Sequence, residues 1–211
     1  GIEVKIFPNA QVVGSDRDSI EAVTLGEIDM TSVAELQFAP NIKEFYVFNA
    51  DYLFDDLKDA KAKLDGEQGD LLKKAADDKN MGVKVAAFVG SSGRIFWNNV
   101  REVNTLADFQ GIKSRAPENP INIAELEALG CIPTPMAWNE LYTGLQQGTV
   151  DGLVSSKMPI IQQGLIDVLK YATDTNHSYS INVILISSAK YNSFSEEQRA
   201  AYDKAIAGAA E

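Results

Sequence analysis

The sequence has 211 residues and a formal net charge of -11, with 19 basic against 30 acidic side chains. This acidic excess argues against nucleic acid and anionic membrane surfaces as partners, because proteins that bind phosphate groups display a basic excess or stripe. The hydrophobic content of 45% is typical of a globular protein, and the longest apolar runs are far shorter than the roughly 20 residues of a membrane-spanning helix.

The first elements in chain order predict a βαβ unit. VKIFP (4–8) predicts a strand, and residues 14–30 predict a helix with Ser15 as its N-cap and Gly26 at its C-terminus. A second strand is expected near IDMTSV. Strand, helix and strand in this order imply a parallel sheet with a right-handed crossover.

The middle of the chain alternates between helical and strand-like patterns. Residues 38–54 are aromatic-rich and irregular, residues 57–79 predict a helix interrupted at Gly66 or Gly69, and residues 83–90 predict a strand. GSSGR (90–94) is interpreted as a bend between two strands, because it lacks the lysine of a phosphate-binding loop.

The remaining elements continue this alternation and predict the α/β fold class. Strands are expected near RIFWNN, at IKSRAP, at VDGLV and along NHSYSINVILISSA; helices are expected at TLADFQ, over 119–130, over 138–148 after a PTP turn, over 157–172 and after Ser195 to the end.

The sequence offers little for catalysis or metal binding. It contains one histidine and one cysteine, so a Ser-His-Asp triad would need His177 and a Cys-His dyad would need Cys131 with His177. No residues have the spacing of zinc ligands. We therefore predict no catalytic residues and no cofactor, and assign no metal ligands, although the use of a metal stays open. His177 is interpreted as a hydrogen-bonded residue at a strand end and Cys131 as a small buried group.

Arg115 is the most informative charged residue. It ends the strand-like run IKSR, just before two prolines, and ligands of parallel α/β sheets bind beyond the carboxyl ends of the strands. A guanidinium there can hold a carboxylate with two parallel hydrogen bonds. Arg94 is a possible second donor, although either arginine could instead pair with a surface acid.

Several segments resemble the extracytoplasmic solute-binding proteins of tripartite ATP-independent periplasmic (TRAP) transporters, the DctP-like family. They are FPNAQVVGSDRDSIEAVTLGEIDM, GIKSRAPENP, PTPMAW, ELYTGLQQGTVDG, TNHSYS and SEEQR, in family order across nearly the whole chain. The resemblance implies a two-lobed periplasmic binding protein fold of type II, with crossing hinge strands and a long connecting helix. Lobe I would comprise residues 1–87 and lobe II residues 88–178, and residues 179–211 would return to lobe I.

The resemblance also implies a set of ligand-binding residues. Arg115 is similar to the family arginine that pairs with the ligand carboxylate, Arg94 to a second basic contact, and Trp138 to an aromatic residue that lines the inter-lobe cleft. Ser155 stands where relatives often carry an amide or an acid. Tyr52 and Glu35 match ligand-binding positions of the family less specifically, and both are placed in loops of the first lobe.

The resemblance implies a periplasmic protein that captures a small organic acid in the cleft and delivers it to TRAP membrane subunits. It would act as a monomer without catalysis and without inserting into the membrane. The family's first strand and helix, and part of its C-terminus, are expected to be missing from this sequence. The alternatives are the ligand-sensing domain of a signalling protein and an enzyme that uses His177.

Overall fold

The computed structural model describes residues 2–8 and 11–209, which form two compact units. Unit 1 comprises Gly1–Tyr46, Lys58–Gly90 and Ile181–Glu211, and unit 2 comprises Val47–Leu57 and Ser91–Ser180. The boundary after lobe I was predicted at residue 87, and segment Val47–Leu57 was predicted in lobe I, whereas it clusters with unit 2.

Eight strands and nine α-helices are present in the described part of the chain. The strands are β1 (Met30–Ala34), β2 (Val83–Gly93), β3 (Ile95–Asn98), β4 (Lys113–Ala116), β5 (Ile132–Pro135), β6 (Gly152–Ser155), β7 (Tyr171–Thr173) and β8 (Tyr179–Ser187). The helices are α1 (Asp16–Leu25), α2 (Glu35–Phe38), α3 (Leu57–Leu64), α4 (Glu67–Lys79), α5 (Pro120–Ala128), α6 (Leu141–Gln147), α7 (Lys157–Gln162), α8 (Ser188–Ser193) and α9 (Glu196–Ala209). Both β2 and β8 contain a boundary between the units.

Unit 1 is built on a three-stranded sheet in the order β1-β8-β2. Strands β1 and β8 are antiparallel, with the buried side chains of Val33 and Val183 opposite each other. Phe38 and Phe45 pack edge to face, with ring centroids 4.9 Å apart, and both are fully buried. The Phe45 ring centroid also lies 6.1 Å from that of Phe88 in β2, so this aromatic core packs against the sheet.

The helices of unit 1 begin and end where local sequence signals place them. Ser15 caps α1 by accepting a hydrogen bond from Asp18 N, and Gly26 ends it with a left-handed φ of 77°. The predicted interruption of the second helix is confirmed between α3 and α4. Gly69 is required there, because a Cβ atom would lie 1.7 Å from the Leu64 carbonyl oxygen.

Unit 2 is built on a five-stranded mixed sheet in the order β5-β4-β6-β3-β7. Strand β4 is parallel to β5 and β6, whereas β3 is antiparallel to β6 and β7. One apolar cluster includes Trp97, Leu141 and Leu153, and a second includes Phe96, Phe109 and Leu126. The helices α5 and α6 therefore contribute side chains to different clusters.

Two expectations about unit 1 are wrong. Residues 2–8 have no regular secondary structure, and the side chains of Val4, Ile6 and Phe7 are exposed. The parallel βαβ unit is therefore absent, and β1 pairs antiparallel with β8. An alternating apolar pattern fits a strand, but a strand forms only where a partner supplies the hydrogen-bonding ladder.

Three expectations for the later part of the chain are also wrong. The PTP turn is part of strand β5, the predicted bend GSSGR mostly continues β2, and the helix expected over 157–172 ends at Gln162. Gly164 adopts a left-handed φ of 66° after α7, and Tyr171–Thr173 forms strand β7. Proline fits β5 because it is an edge strand of the sheet.

Candidate ligand-binding site

Three of the predicted ligand-binding residues lie at one edge of the unit 2 sheet, namely the edge where strands β4 and β6 end and β3 begins. Arg115 in β4 lies opposite Leu153 in the parallel strand β6, and Ser155 at the end of β6 lies opposite Ile95 at the start of β3. Arg94 directly precedes β3. Because β3 runs antiparallel to its neighbours, its beginning lies beside their carboxyl ends, and Arg94, Arg115 and Ser155 share this edge.

The Arg115 side chain is held in a fixed position. It is 7% exposed, and its Nε donates a hydrogen bond of 2.9 Å to the carbonyl oxygen of Met136. Its guanidinium carbon lies 5.6 Å from the centroid of the Trp138 ring, within the range of a cation–π contact. The side chain is therefore oriented by protein groups and held as a planar cation.

Trp138 follows β5 and begins a short 3-10 helix over Trp138–Glu140. It is partly buried and packs against the apolar cluster that contains Leu141 and Leu153. One aromatic ring therefore contacts both the hydrophobic interior of unit 2 and the Arg115 guanidinium. This arrangement provides an apolar wall beside a positive charge.

Ser155 and Ser156 lie together at the end of β6. Ser155 is buried, and its carbonyl oxygen accepts a 3.0 Å hydrogen bond from Trp97 Nε1. Ser156 precedes α7 and is fully buried, and its hydroxyl has no hydrogen-bond partner among the residues that the structure describes. Sequence reasoning missed Ser156, because nothing in SSKMP distinguishes a solvated N-cap serine from a buried hydroxyl without a partner.

A second group of ionisable side chains lies beside Arg94. His177 Nε2 lies 3.4 Å from Glu125 Oε1, and His177 Nδ1 lies 2.8 Å from Thr175 Oγ1. Burial lowers the pKa of His177; the charge of Arg94 adds to this effect, and Asp51 opposes it. Burial and the charge of Asp51 raise the pKa of Glu125. Burial therefore disfavours the charged form of both members of the pair.

The structure also shows the positions of His177, Cys131, Tyr52 and Glu35. His177 is hydrogen-bonded just before β8, and Cys131 is buried, as predicted. Tyr52 lies in unit 2 rather than in the first lobe and is 74% exposed. Glu35 lies in unit 1, where it is 1% exposed and begins helix α2 rather than occupying a loop.

The whole chain, residues 1–211, matches the family model of bacterial extracellular solute-binding proteins, family 7, also called DctP. The chain belongs to this family. None of the helices in the described part of the chain has the length and apolar character needed to cross a membrane.

Relatives of the chain include proteins with named solutes. It is 29% identical to the C4-dicarboxylate-binding periplasmic protein DctP of Rhodobacter capsulatus over 98% of this chain and 61% of that protein. It is 30% identical, with a TM-score of 0.90, to the sugar acid binding protein DctPAm of Advenella mimigardefordensis in complex with galactonate, over 94% of this chain and 64% of that one. A TRAP solute-binding protein of Polaromonas bound to D-erythronate is 31% identical, with a TM-score of 0.91, over 97% of this chain and 66% of that one.

These similarities confirm the resemblance found in the sequence. The fold is the α/β fold of TRAP periplasmic solute-binding proteins, and the predicted periplasmic location is confirmed. The chain spans slightly less than two thirds of the length of the relatives described above.

Proposed function

We propose that this chain binds a small organic carboxylate at the unit 2 sheet edge and that Arg115 neutralises the carboxylate. The observation that carries this proposal is the buried guanidinium, which is oriented by the Met136 carbonyl oxygen and lies beside the ring of Trp138. Because protein groups already orient this side chain, an anion that binds it restricts less conformational freedom than one that binds a mobile surface arginine.

We further propose that the ligand carries hydroxyl groups as well as a carboxylate. Ser156 supports this idea, because its buried hydroxyl finds no partner in the described part of the chain, and such a hydroxyl is costly unless a ligand or water satisfies it. Ser155 and Arg94 at the same sheet edge would add polar contacts, and Trp138 would cover apolar parts of the ligand. The complexes of relatives with galactonate and D-erythronate point to the same class of acid.

In the whole protein, we propose that the loaded form delivers its acid to TRAP membrane subunits as a monomer and leaves the acid chemically unchanged. A ligand that contacts the closed state more favourably than the open state would shift the population toward closure. Tyr52 and Glu35 stay predicted ligand contacts, as inferred from the family resemblance.

Thermal-shift measurements with matched pairs of compounds test this function. D-erythronate should raise the melting temperature, whereas erythritol, which has a similar chain of hydroxyl groups but no carboxylate, should not. Succinate should have a smaller effect, because it offers no hydroxyl group to the serines. Equal shifts with erythronate and erythritol would contradict the role of the carboxylate, and an altered acid recovered after prolonged incubation would indicate an enzyme.

A further inference from the structure

A second candidate site lies in unit 2 where three chain segments meet. Asp51 follows the 3-10 helix Lys43–Asn49, Glu125 lies in α5, and His177 precedes β8. Each residue offers one possible ligand atom, and these three atoms all lie within 4.8 Å of one another. Two carboxylates and one imidazole form a donor set that suits divalent transition metals.

The imidazole of His177 is oriented by a residue outside this group. Thr175 Oγ1 donates a 3.4 Å hydrogen bond to the carbonyl oxygen of Arg94 and lies 2.8 Å from His177 Nδ1. When Thr175 donates to this carbonyl rather than to Nδ1, the 2.8 Å contact is made by a proton on His177 Nδ1. In the neutral ring this leaves the Nε2 lone pair facing Glu125, in the orientation that metal-binding histidines adopt.

The Glu125 carboxylate is oriented in a similar way. Asn122 Nδ2 donates a 3.2 Å hydrogen bond to Glu125 Oε2, and Asn122 Oδ1 accepts a 2.9 Å hydrogen bond from Asn49 Nδ2. These contacts fix one carboxylate oxygen and leave Oε1 beside His177. Amide groups outside the three-residue group therefore hold the carboxylate in place.

The distance between the two facing atoms also fits a bound cation. His177 Nε2 and Glu125 Oε1 are 3.4 Å apart, whereas a charge-assisted hydrogen bond measures about 2.7–2.9 Å. Two ligands on a tetrahedral zinc ion with bonds of about 2.0–2.1 Å are separated by about 3.3 Å. The observed separation is therefore closer to that of two ligands of one metal ion.

We propose that Asp51, Glu125 and His177 bind a divalent transition-metal ion such as zinc, with at least one coordination position left for water or another ligand. The nearby charge of Arg94 opposes cation binding, but the two carboxylates outweigh this single positive charge. The ion would connect segment Val47–Leu57 to the rest of unit 2, which comes from a later part of the chain. Metal binding would therefore stabilise unit 2 by joining distant segments.

Zinc titration of chelator-treated, tag-free protein without any organic acid tests this site. Isothermal titration calorimetry should show one saturable Zn²⁺ site per chain, and the melting temperature should rise with Zn²⁺ concentration. Mg²⁺ should produce neither effect, because it prefers all-oxygen sites. The Glu125→Gln and His177→Gln variants should both lose the saturable site.

Matched variants separate this site from nonspecific cation binding. Glu127→Gln removes an exposed carboxylate from the same helix and should keep the Zn²⁺ site. Thr175→Val should weaken Zn²⁺ binding by about 10- to 100-fold, because residues that hydrogen-bond to metal-binding histidines have effects of this size. Absence of saturable Zn²⁺ binding, or unchanged binding in Glu125→Gln, would overturn the proposal; if His177→Gln fails to fold, the comparison of Glu125→Gln with Glu127→Gln decides.

Discussion

Replacing Arg115 with alanine should greatly weaken binding of the organic acid. In the structure, the Arg115 side chain is 7% exposed and is positioned by the Met136 carbonyl oxygen and the Trp138 ring. The alanine variant would leave a ligand carboxylate at this edge without its positive partner. The shape of the apolar wall formed by Trp138 would change much less.

The magnitude follows from the burial of the charge. Removing one member of a buried ion pair costs about 3–5 kcal/mol. Since about 1.4 kcal/mol corresponds to a tenfold change in affinity, Kd should rise from about 150-fold to several thousandfold. The variant also loses the 2.9 Å hydrogen bond to Met136 O, which should lower the free energy of unfolding by about 1 kcal/mol.

Isothermal titration calorimetry with the acid selected by thermal shift measures this change in Kd. Arg115→Lys should bind with intermediate affinity, because lysine keeps the charge but loses the planar fork of donors. Arg101→Ala is the matched control, since Arg101 Nε also donates to a backbone carbonyl in unit 2, that of Asp108, at 2.8 Å. If Arg115→Ala binds the acid as tightly as Arg101→Ala does, the guanidinium of Arg115 does not hold the carboxylate.

Cys131, His177 and Gly152 provide further measurable expectations. Burial raises the pKa of Cys131 from an ordinary value of 9.0 to about 11. Because only the thiolate reacts, DTNB at pH 8 should label the native thiol about 100-fold more slowly than the thiol of the unfolded chain. Equal labelling rates would contradict the burial of Cys131. His177 is the only histidine, and NMR should place its titration midpoint below 6.5, because burial lowers its pKa. The unfolded chain then binds this proton more tightly, so the contribution of His177 to stability should fall as pH drops below about 6.5; a higher midpoint would show that pairing with carboxylates dominates. Gly152→Ala would place a Cβ atom 2.3 Å from Trp97 O. Urea titrations should therefore show a free energy of unfolding that is lower by about 1–3 kcal/mol or more. In the control variant Gly208→Ala, the Cβ atom meets nothing within 4 Å, and the free energy of unfolding should rise by about 0.5–1 kcal/mol.

Local sequence signals predicted the ends of several helices correctly. Ser15 and Gly26 delimit α1, and Asn119 with Pro120 begins α5. Ser195 and Gln198 exchange hydrogen bonds at the start of α9, with distances of 3.0 Å and 3.2 Å. These signals were readable because a cap depends on residues within about one turn of the chain.

Strand pairing depended on residues that are distant in sequence and was predicted less well. The pattern at 4–8 has the alternation of a strand but forms no strand, whereas the proline-containing segment Ile132–Pro135 pairs with β4. The antiparallel pairing of β1 with β8 joins two segments that lie far apart in the sequence. A strand therefore depends on which partner is available, and a pattern within one segment does not specify that partner.

The sequence by itself determined the family and the α/β class, because both depend on ordered motifs and alternating elements, and the role of Arg115 in ligand binding stays a prediction from its place at a strand end. Only the tertiary structure decided that Asp51, Glu125 and His177 meet, and that the Ser156 hydroxyl is buried with no partner within residues 2–8 and 11–209. The physical reason is that a binding site needs a few side chains within hydrogen-bonding or coordination distance. Those distances result from the packing of segments that no local spacing in the sequence connects.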